Sequence, residues 1–589
     1  MGEGFMLKYA NEHVDELRKA MRKDGIKAYL IVTGDPHNSE EPAARFAAER
    51  RFFCPFDGDN AYVLITEDEA LVWTDGRFFV SAEEEIKGSY FSLMKLYTPG
   101  YPLPEEYIKA HNLYPLGTDL LLLSPEDEKA LAKNGVVVDK SYSFIMPEVP
   151  SLPTGKIWRF DDPRYQDLSR EEKLSHVYSK IKEEGAQAHL LCTLDDIAYL
   201  LNLRGNDIPY TPVFYSYLYL SLEEGAHLFV DRRKLDFLVP GVTIHPYEEI
   251  FDFLKDRGDV PTLLDPSQTN SKVYRLLRKP IHGVSPSRLM KAVKGPKEIE
   301  NTKRIQAEDG VALLKFIDFL DKHKGQGLSE WDYAVKLGEF RKEGPSYIED
   351  SFETIAATGP NAAMMHYAPS EAKNSLVKDG PELLVDSGGQ YWGGTTDTTR
   401  TFLVGNSTPE FIRDYTLTLK SLIALSNCIF LEGSTGRPID MMAREIMWKN
   451  GMDYKCGTGH GIGYLNVVHE SPNGFRYRAS KGKDDGATIV PGMITSIEPG
   501  VYKAGKYGIR IENDILAVPA FSTPDGNFFK FENLTYVPIE TSCLDLNLLT
   551  QEEIDYLNDY HQLVYEKLSP LVSGHLLDVL KEKTKPVHR

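Results

Sequence analysis

The chain has 589 residues, 42% hydrophobic and 26% charged, enough to bury several cores and more than a single domain holds. A net charge of −20 argues against a surface built for a nucleic-acid backbone. Cys54, Cys192, Cys428, Cys456 and Cys543 are scattered, odd in number and free of any CxxC pair, which points to reduced thiols and a cytoplasmic setting; with no apolar leader and no run long enough to span a bilayer, no membrane partner is expected.

The first half reads as a duplication. Met21–Thr33 (MRKDGIKAYLIVT) and Ile181–Thr193 (IKEEGAQAHLLCT) each join the tail of a charged amphipathic helix, a glycine (Gly25 or Gly185) and an apolar strand. Ala70–Asp75 (ALVWTD) and Ala226–Asp231 (AHLFVD) repeat the match at nearly the same offset. A Pro-rich stretch at Pro147–Gly155 and the VKGP segment at Val293–Pro296 mark boundaries, so the expected division is 1–155, 156–293 and 294–589. The third region opens on a helix over Ile299–Lys322, with apolar residues Ile305, Val311, Leu314, Phe316, Ile317 and Leu320 near helical spacing. Strands are predicted at Leu383–Asp386, Arg400–Val404, Met493–Glu498 and Gly508–Leu516, and helices at Glu410–Phe430, Pro438–Lys449 and along Thr550–Lys585.

Five residues of that region carry the chemistry: Asp386, Asp397, His460, Glu498 and Glu512. Asp386 ends an apolar run, a glycine-rich segment follows, and Asp397 lies in TTDTTR; this reads as an antiparallel hairpin with both aspartates able to face one cleft. His460 stands among glycines in TGHGIG, where missing Cβ atoms permit close backbone approach and unusual φ/ψ. Pro499 biases Glu498 towards extended backbone, and in GIRIEN the alternation puts Arg510 and Glu512 on the side opposite Ile509 and Ile511. Each segment alone also fits a bland reading: a turn-capping aspartate, an incidental histidine, a solvated Arg/Glu face. Together, four carboxylates nearly neutralise two divalent cations and leave room for one bridging hydroxide, with hard O and N donors and no thiolate.

These motifs, DSGGQYWGGTTDTTR, GTGHGIG, VVHESP, IEPGVY and YGIRIEN, resemble the pita-bread metallopeptidase family, which includes prolidase, methionyl aminopeptidase and aminopeptidase P. The layout resembles its three-domain aminopeptidase P branch: α/β and α+β multidomain, two similar N-terminal creatinase-like α/β units before a pita-bread (creatinase/aminopeptidase-like) catalytic domain. The resemblance implies a metal-dependent Xaa-Pro aminopeptidase, acting as a homodimer on peptides with proline in second position. It implies two divalent ions, manganese first, with cobalt, zinc or iron also acceptable, on Asp386, bridging Asp397, His460, Glu498 and bridging Glu512. Glu498 also handles protons; His366, in TGPNAAMMHYAP, and His469 line the substrate pocket and join in catalysis; Arg77, in WTDGRFF, and Arg510 contact substrate. Prolidase, usually with a single N-terminal unit, and a non-catalytic peptide-binding scaffold are the rival readings. Two departures stand out. Cys456 occupies a position where many relatives carry histidine, and is expected only to pack. Phe56-Asp57-Gly58 runs into Asp59-Asn60-Ala61 where relatives carry a small Ser/Ala-Gly run.

Overall fold

The computed structural model describes residues 3–589 except 41, 59, 380 and 479–485, so Asp59 of the divergent loop lies outside the described residues. The chain divides into two compact units, one made of residues 1–160, 168–208 and 213–287 and the other of 161–167, 209–212 and 288–589. Among the described residues no helix is long and apolar enough to cross a membrane.

The first unit holds two six-stranded sheets. Helix α1 (Glu3–Asp24) precedes β1 (Ala28–Val32), β2 (Tyr62–Thr66), β3 (Ala70–Thr74), β4 (Phe91–Lys95), β5 (Leu116–Thr118) and β6 (Val137–Asp139). Helix α2 (Arg170–Glu183) precedes β7 (Ala188–Leu191), β8 (Ser216–Ser221), β9 (Gly225–Val230), β10 (Val242–His245), β11 (Thr262–Leu264) and β12 (Pro280–His282). The first sheet runs β4-β3-β2-β1-β5-β6 and the second β10-β9-β8-β7-β11-β12. The pairings match one for one: the central pairs β1–β2 and β7–β8 are antiparallel, while β1–β5 and β7–β11 are parallel. Gly25 and Gly185 both take φ +69, and in both the next residue donates its amide five residues back, Ile26 to Met21 O and Ala186 to Ile181 O at 3.0 Å each. The left-handed turn that stops each helix therefore needs glycine. The duplication is real, down to the helix caps. Strand alternation splits the first sheet's side chains into two layers: Tyr29, Ile31, Val63, Ile65 and Val72 on one face, Leu30, Val32, Leu64, Leu71 and Trp73 on the other. Between the halves of this unit, buried His37 donates from Nδ1 to Cys192 O and accepts at Nε2 from Tyr247 OH, both at 2.7 Å.

The second unit opens with α3 (Pro296–His323) and α4 (Glu330–Lys342). Strands β13 (Ile355–Ala357), β14 (Glu382–Ser387) and β15 (Thr398–Leu403) form an antiparallel sheet with β14 central. After α5 (Pro409–Ser426), β16 (Phe430–Leu431) and α6 (Gly436–Lys449) come β17 (Gly459–Gly461), β18 (Glu470–Phe475), β19 (Ile494–Ile497), the ribbon β20 (Gly500–Lys503) and β21 (Tyr507–Arg510), β22 (Asn513–Thr523) and β23 (Gly526–Asn533). The larger sheet runs β16-β23-β22-β19-β17-β18, and α7 (Gln551–Leu568) and α8 (His575–Lys583) close the chain.

Three predicted elements differ from the structure. The strand expected over Gly508–Leu516 is broken: β21 pairs with β20, β22 pairs with β19, and the chain changes sheets at Ile511–Glu512. The crossing residues turn their amides elsewhere, Ile511 N–H to Pro499 O and Glu512 N–H to Thr399 O. The helix expected to reach Phe430 stops at Ser426, because Phe430 and Leu431 pair with Phe529 and Phe528. The charged tail is two helices, interrupted where Pro570 lacks an amide hydrogen and Gly574 takes φ +57. Buried Arg400 of β15 ties this unit together, donating to Glu512 O, Val537 O at 2.9 Å, Pro538 O at 3.2 Å and Tyr560 OH at 2.8 Å.

Candidate metal centre

Five pieces of backbone converge on one place. Asp386 stands in β14 opposite Thr399 of β15, and Asp397 lies immediately before β15. His460 is the middle residue of β17, Glu498 follows β19 directly, and Glu512 sits at the crossing between β21 and β22. His460 Nε2 lies 3.4 Å from Asp397 Oδ2 and 3.3 Å from Glu498 Oε1. Donor atoms of Asp397, His460 and Glu512 all fall within 4.8 Å of one another. Arg510 NH2 donates to Asp386 Oδ2 at 2.6 Å, its Nε donates to Thr399 Oγ1 at 3.1 Å, and that hydroxyl donates to Glu512 Oε2 at 2.7 Å. A third Arg510 donor, NH1, reaches Tyr502 OH at 2.7 Å.

The electrostatics are those of acids crowded out of water. Burial pushes Asp386 up to about 7, against the pull of Arg510 and with the repulsion of Asp397 and Glu498. Burial and the charges of Asp397, Asp386 and Glu498 hold Glu512 well above the carboxylate range. Glu498 goes the other way: burial would raise it, but the His460 ring and Arg510 bring it down to about 2. Burial alone would lower His460, yet its contacts with Asp397 and Glu498 lift it to about 10. A bound cation is the missing counter-charge for such a set. Asp386 Oδ1 is buried with no hydrogen-bond partner among the described residues, so one donor atom stands ready. The donors are hard oxygens and one imidazole nitrogen, suited to manganese-like divalent ions.

The glycines around His460 act by spacing. A Cβ on Gly459 would lie 1.8 Å from Ser496 O, on Gly461 2.3 Å from Glu470 O and on Gly463 2.4 Å from Val467 O, whereas none of the three takes a left-handed φ. Strand backbones meet here with no room for a side chain, and this brings the His460 ring within reach of acids on other strands. His460 Nδ1 donates to Gly461 O at 3.0 Å, which leaves Nε2 facing the acids.

Supporting groups that the sequence did not single out lie behind the acids. Asp309 of α3 and Arg341 of α4 form a buried ion pair, Nε to Oδ1 at 2.7 Å. Asp309 also accepts from Thr396 Oγ1 at 2.9 Å, and Arg341 NH2 donates to Ser387 Oγ at 3.0 Å. Thr396 precedes Asp397 and Ser387 follows Asp386, so one ion pair fixes both arms of the hairpin. Asp514 accepts from the Asp397 amide at 3.3 Å and from Gln306 Nε2 at 2.7 Å. Arg444 of α6 holds Asp440 Oδ2 at 2.8 Å and Cys456 O at 3.0 Å, while Thr458 O accepts from the Glu498 amide at 2.7 Å. Asp514 was within reach of sequence reasoning, since it continues the alternation two residues beyond Glu512. Asp309 and Arg341 carry no local signal.

The other expected site residues are placed as follows. His469 packs edge-on against His460 with ring centroids 4.2 Å apart. His366 is exposed, on a turn whose preceding carbonyl, Met365 O, faces Arg510 NH2 at 3.5 Å. Arg510 is buried and turned to Asp386, Thr399 and Tyr502. Arg77 lies in the other compact unit, where its guanidinium grips Asp75 at 2.9 Å and holds that carboxyl well below the usual range against the effect of burial. Cys456 packs against the apolar cluster of Leu417, Met447, Tyr454 and Val501.

Comparison with known proteins is consistent along the chain. Residues 300–519 match the model of metallopeptidase family M24, residues 527–587 the C-terminal region of that peptidase, and residues 13–139 and 148–298 two creatinase/prolidase N-terminal domain models. Xaa-Pro aminopeptidase 1 of Dictyostelium discoideum is 33% identical over 98% of this chain and 96% of its own length. The crystal structure of an X-prolyl aminopeptidase from Caenorhabditis elegans, described as a cytosolic enzyme with a di-nuclear active site, superposes with a TM-score of 0.91 at 32% identity over the whole of both chains. An Xaa-Pro dipeptidase from Bacillus anthracis shares the fold over only 63% of this chain but 99% of its own, at a TM-score of 0.50 and 24% identity. The chain belongs to metallopeptidase family M24, in the branch that carries two creatinase-type N-terminal domains before the peptidase domain.

Proposed function

We propose that this protein is a metal-dependent Xaa-Pro aminopeptidase that releases the first residue of peptides whose second residue is proline. The observation that carries the reading is the convergence of Asp386, Asp397, His460, Glu498 and Glu512 in one cluster, buried except for the partly open Glu498. The full-length likeness to X-prolyl aminopeptidases, against a partial one to the dipeptidase, favours the aminopeptidase over prolidase. The five residues would hold two divalent ions, manganese first, and the chemistry such ions supply is water activation and carbonyl polarisation.

The chain's own groups supply the rest. Arg510 fixes Asp386 and, through Thr399, Glu512, so the acids are oriented before substrate arrives. Glu498 stays ionised and keeps 22% of its side chain open, which suits it to take and return a proton at the cleaved bond. His469, edge-on to His460, is the donor assigned to the developing oxyanion. His366, on its exposed turn, lines the proline pocket, and it or Glu498 relays the proton that the departing proline nitrogen requires. Arg77 is assigned to substrate contact from its own or a neighbouring subunit, in a homodimer working in the cytoplasm; five free cysteines and the cytosolic relative support that setting.

The test is product analysis on an Arg-Pro-Pro peptide with purified, manganese-loaded protein. Free arginine and Pro-Pro are expected, with chelation and Asp397→Ala each reducing turnover to background while the chain stays folded. Normal turnover by the Asp397 variant would refute the metal assignment.

A further inference from the structure

His366 reaches solvent on a segment with no regular secondary structure beyond one short turn of helix, and something must hold that segment in place. The holding group is one buried carboxylate. Glu330, the first residue of α4, has no exposed surface. Its Oε1 accepts from Thr358 N at 2.8 Å and from Asn361 Nδ2 at 3.1 Å. Its Oε2 accepts from Asn361 Nδ2 at 2.9 Å, Tyr367 OH at 2.8 Å and Ser375 N at 2.7 Å. The Glu330 amide also donates to Ser375 O at 2.9 Å. These partners span the segment: Thr358 and Asn361 before His366, Tyr367 beside it and Ser375 after it. Tyr367 buries its ring against Ile355, Ala357, Ala362 and Leu384, while the adjoining His366 is exposed. Beneath, Thr358 Oγ1 donates to Glu382 O at 2.6 Å, and Gly359 N donates to Glu382 Oε1 at 3.1 Å, which seats the start of the segment on β14.

We infer that Glu330 is a positioning residue for the peptidase reaction, fixing the 358–375 segment so that His366 stands at the rim of the metal centre. The inference rests on the role assigned to His366 above. A carboxylate is the group required: it has only acceptors, and the segment presents amide, carboxamide and phenol donors to both oxygens. A loop without this clamp would have to order itself for each turnover, and a misplacement of about 1 Å at a reacting group loses about 100-fold in rate.

The test measures kcat and KM on an Arg-Pro-Pro peptide, with metal content and thermal midpoint, for Glu330→Gln, Tyr367→Phe, His366→Ala and the doubles that combine His366→Ala with each of the other two. Either clamp variant is expected to lower kcat by about 10-fold or more with KM within about threefold, while metal content is unchanged. In the His366→Ala background neither is expected to lower kcat further, because the clamp acts through that ring. Full multiplicative losses in the doubles, or losses that track metal content, would overturn the inference. A silent Glu330→Gln beside an impaired His366→Ala sinks the clamp alone; a silent His366→Ala sinks the assigned role of His366 and the clamp with it. If Glu330→Gln does not fold, Tyr367→Phe, which removes one hydroxyl, decides the matter.

Discussion

At Asp386 two demands meet in one side chain. Arg510 grips Oδ2 while Oδ1 is left without a partner, and burial beside two other acids raises the group to about 7. Glu512 is likewise held well above the carboxylate range, and His460 holds its proton to about 10. Before any cation arrives, the cluster therefore stores protons at neutral pH, and cation uptake must expel them. Titration of manganese into chelator-treated protein in buffers of different ionisation enthalpy should show proton release at pH 7, with affinity rising as pH rises. The stability consequence has the same origin. An acid whose folded-state pKa is raised binds more protons folded than unfolded between its ordinary value and the raised one, so its contribution fades as pH climbs through that window. The thermal midpoint of the metal-free protein should fall between pH 4 and about 7 by more than that of the manganese-loaded protein; a parallel fall in both would count against the protonated cluster.

Helices α3 and α4 show how an element unrelated in sequence to the acids governs them. Asp309 and Arg341 are fully buried and reach both arms of the hairpin, whereas Lys315 of α3 and Glu343, just past the end of α4, pair at the surface at 2.6 Å. Removing one partner of a buried pair leaves the other charged and unsolvated, so Arg341→Met should cost about 3–5 kcal/mol in denaturant unfolding. Lys315→Ala, at an exposed pair, should cost about 0–1 kcal/mol. The Arg341 variant should also bind manganese more weakly; an unchanged affinity would mean the hairpin keeps its geometry without the pair. No reading of the sequence could find this arrangement. Asp309 and Thr396 stand 87 residues apart, and Asp309 belongs to no motif. The Asp386 hairpin, GTGHGIG and YGIRIEN were legible because local chemistry writes them locally. Even there the sequence misled in part: YGIRIEN alternates like one strand, and only the amide bonds to Pro499 and Thr399 reveal that the chain changes sheets just where Glu512 is needed.

Across the whole molecule, the twin sheets were legible because helix–glycine–strand is a local signature repeated at a nearly constant offset. What joins the halves of that unit was not: His37 finds Cys192 and Tyr247, 155 and 210 residues away. Burial drives His37 down to about 4. The folded chain keeps it neutral while the unfolded chain takes up a proton below about 6.5, so up to about 3 kcal/mol is lost as pH falls from there towards 4. Calorimetry should separate this from the metal effect. The transition of the N-terminal unit should weaken with acid, with a flatter slope in His37→Gln, and chelation should lower the transition of the unit that contains Asp386 to Glu512. Arg400 carries one more consequence. It grips the Glu512 carbonyl together with Val537, Pro538 and Tyr560, so a backbone segment of the acid cluster is anchored to the chain's last tenth. During synthesis that anchor emerges from the ribosome after all four acids and the imidazole have left it. The nascent chain must wait for its own tail before it can capture an ion, and a message truncated ahead of Tyr560 yields a product with every ligand and no finished site.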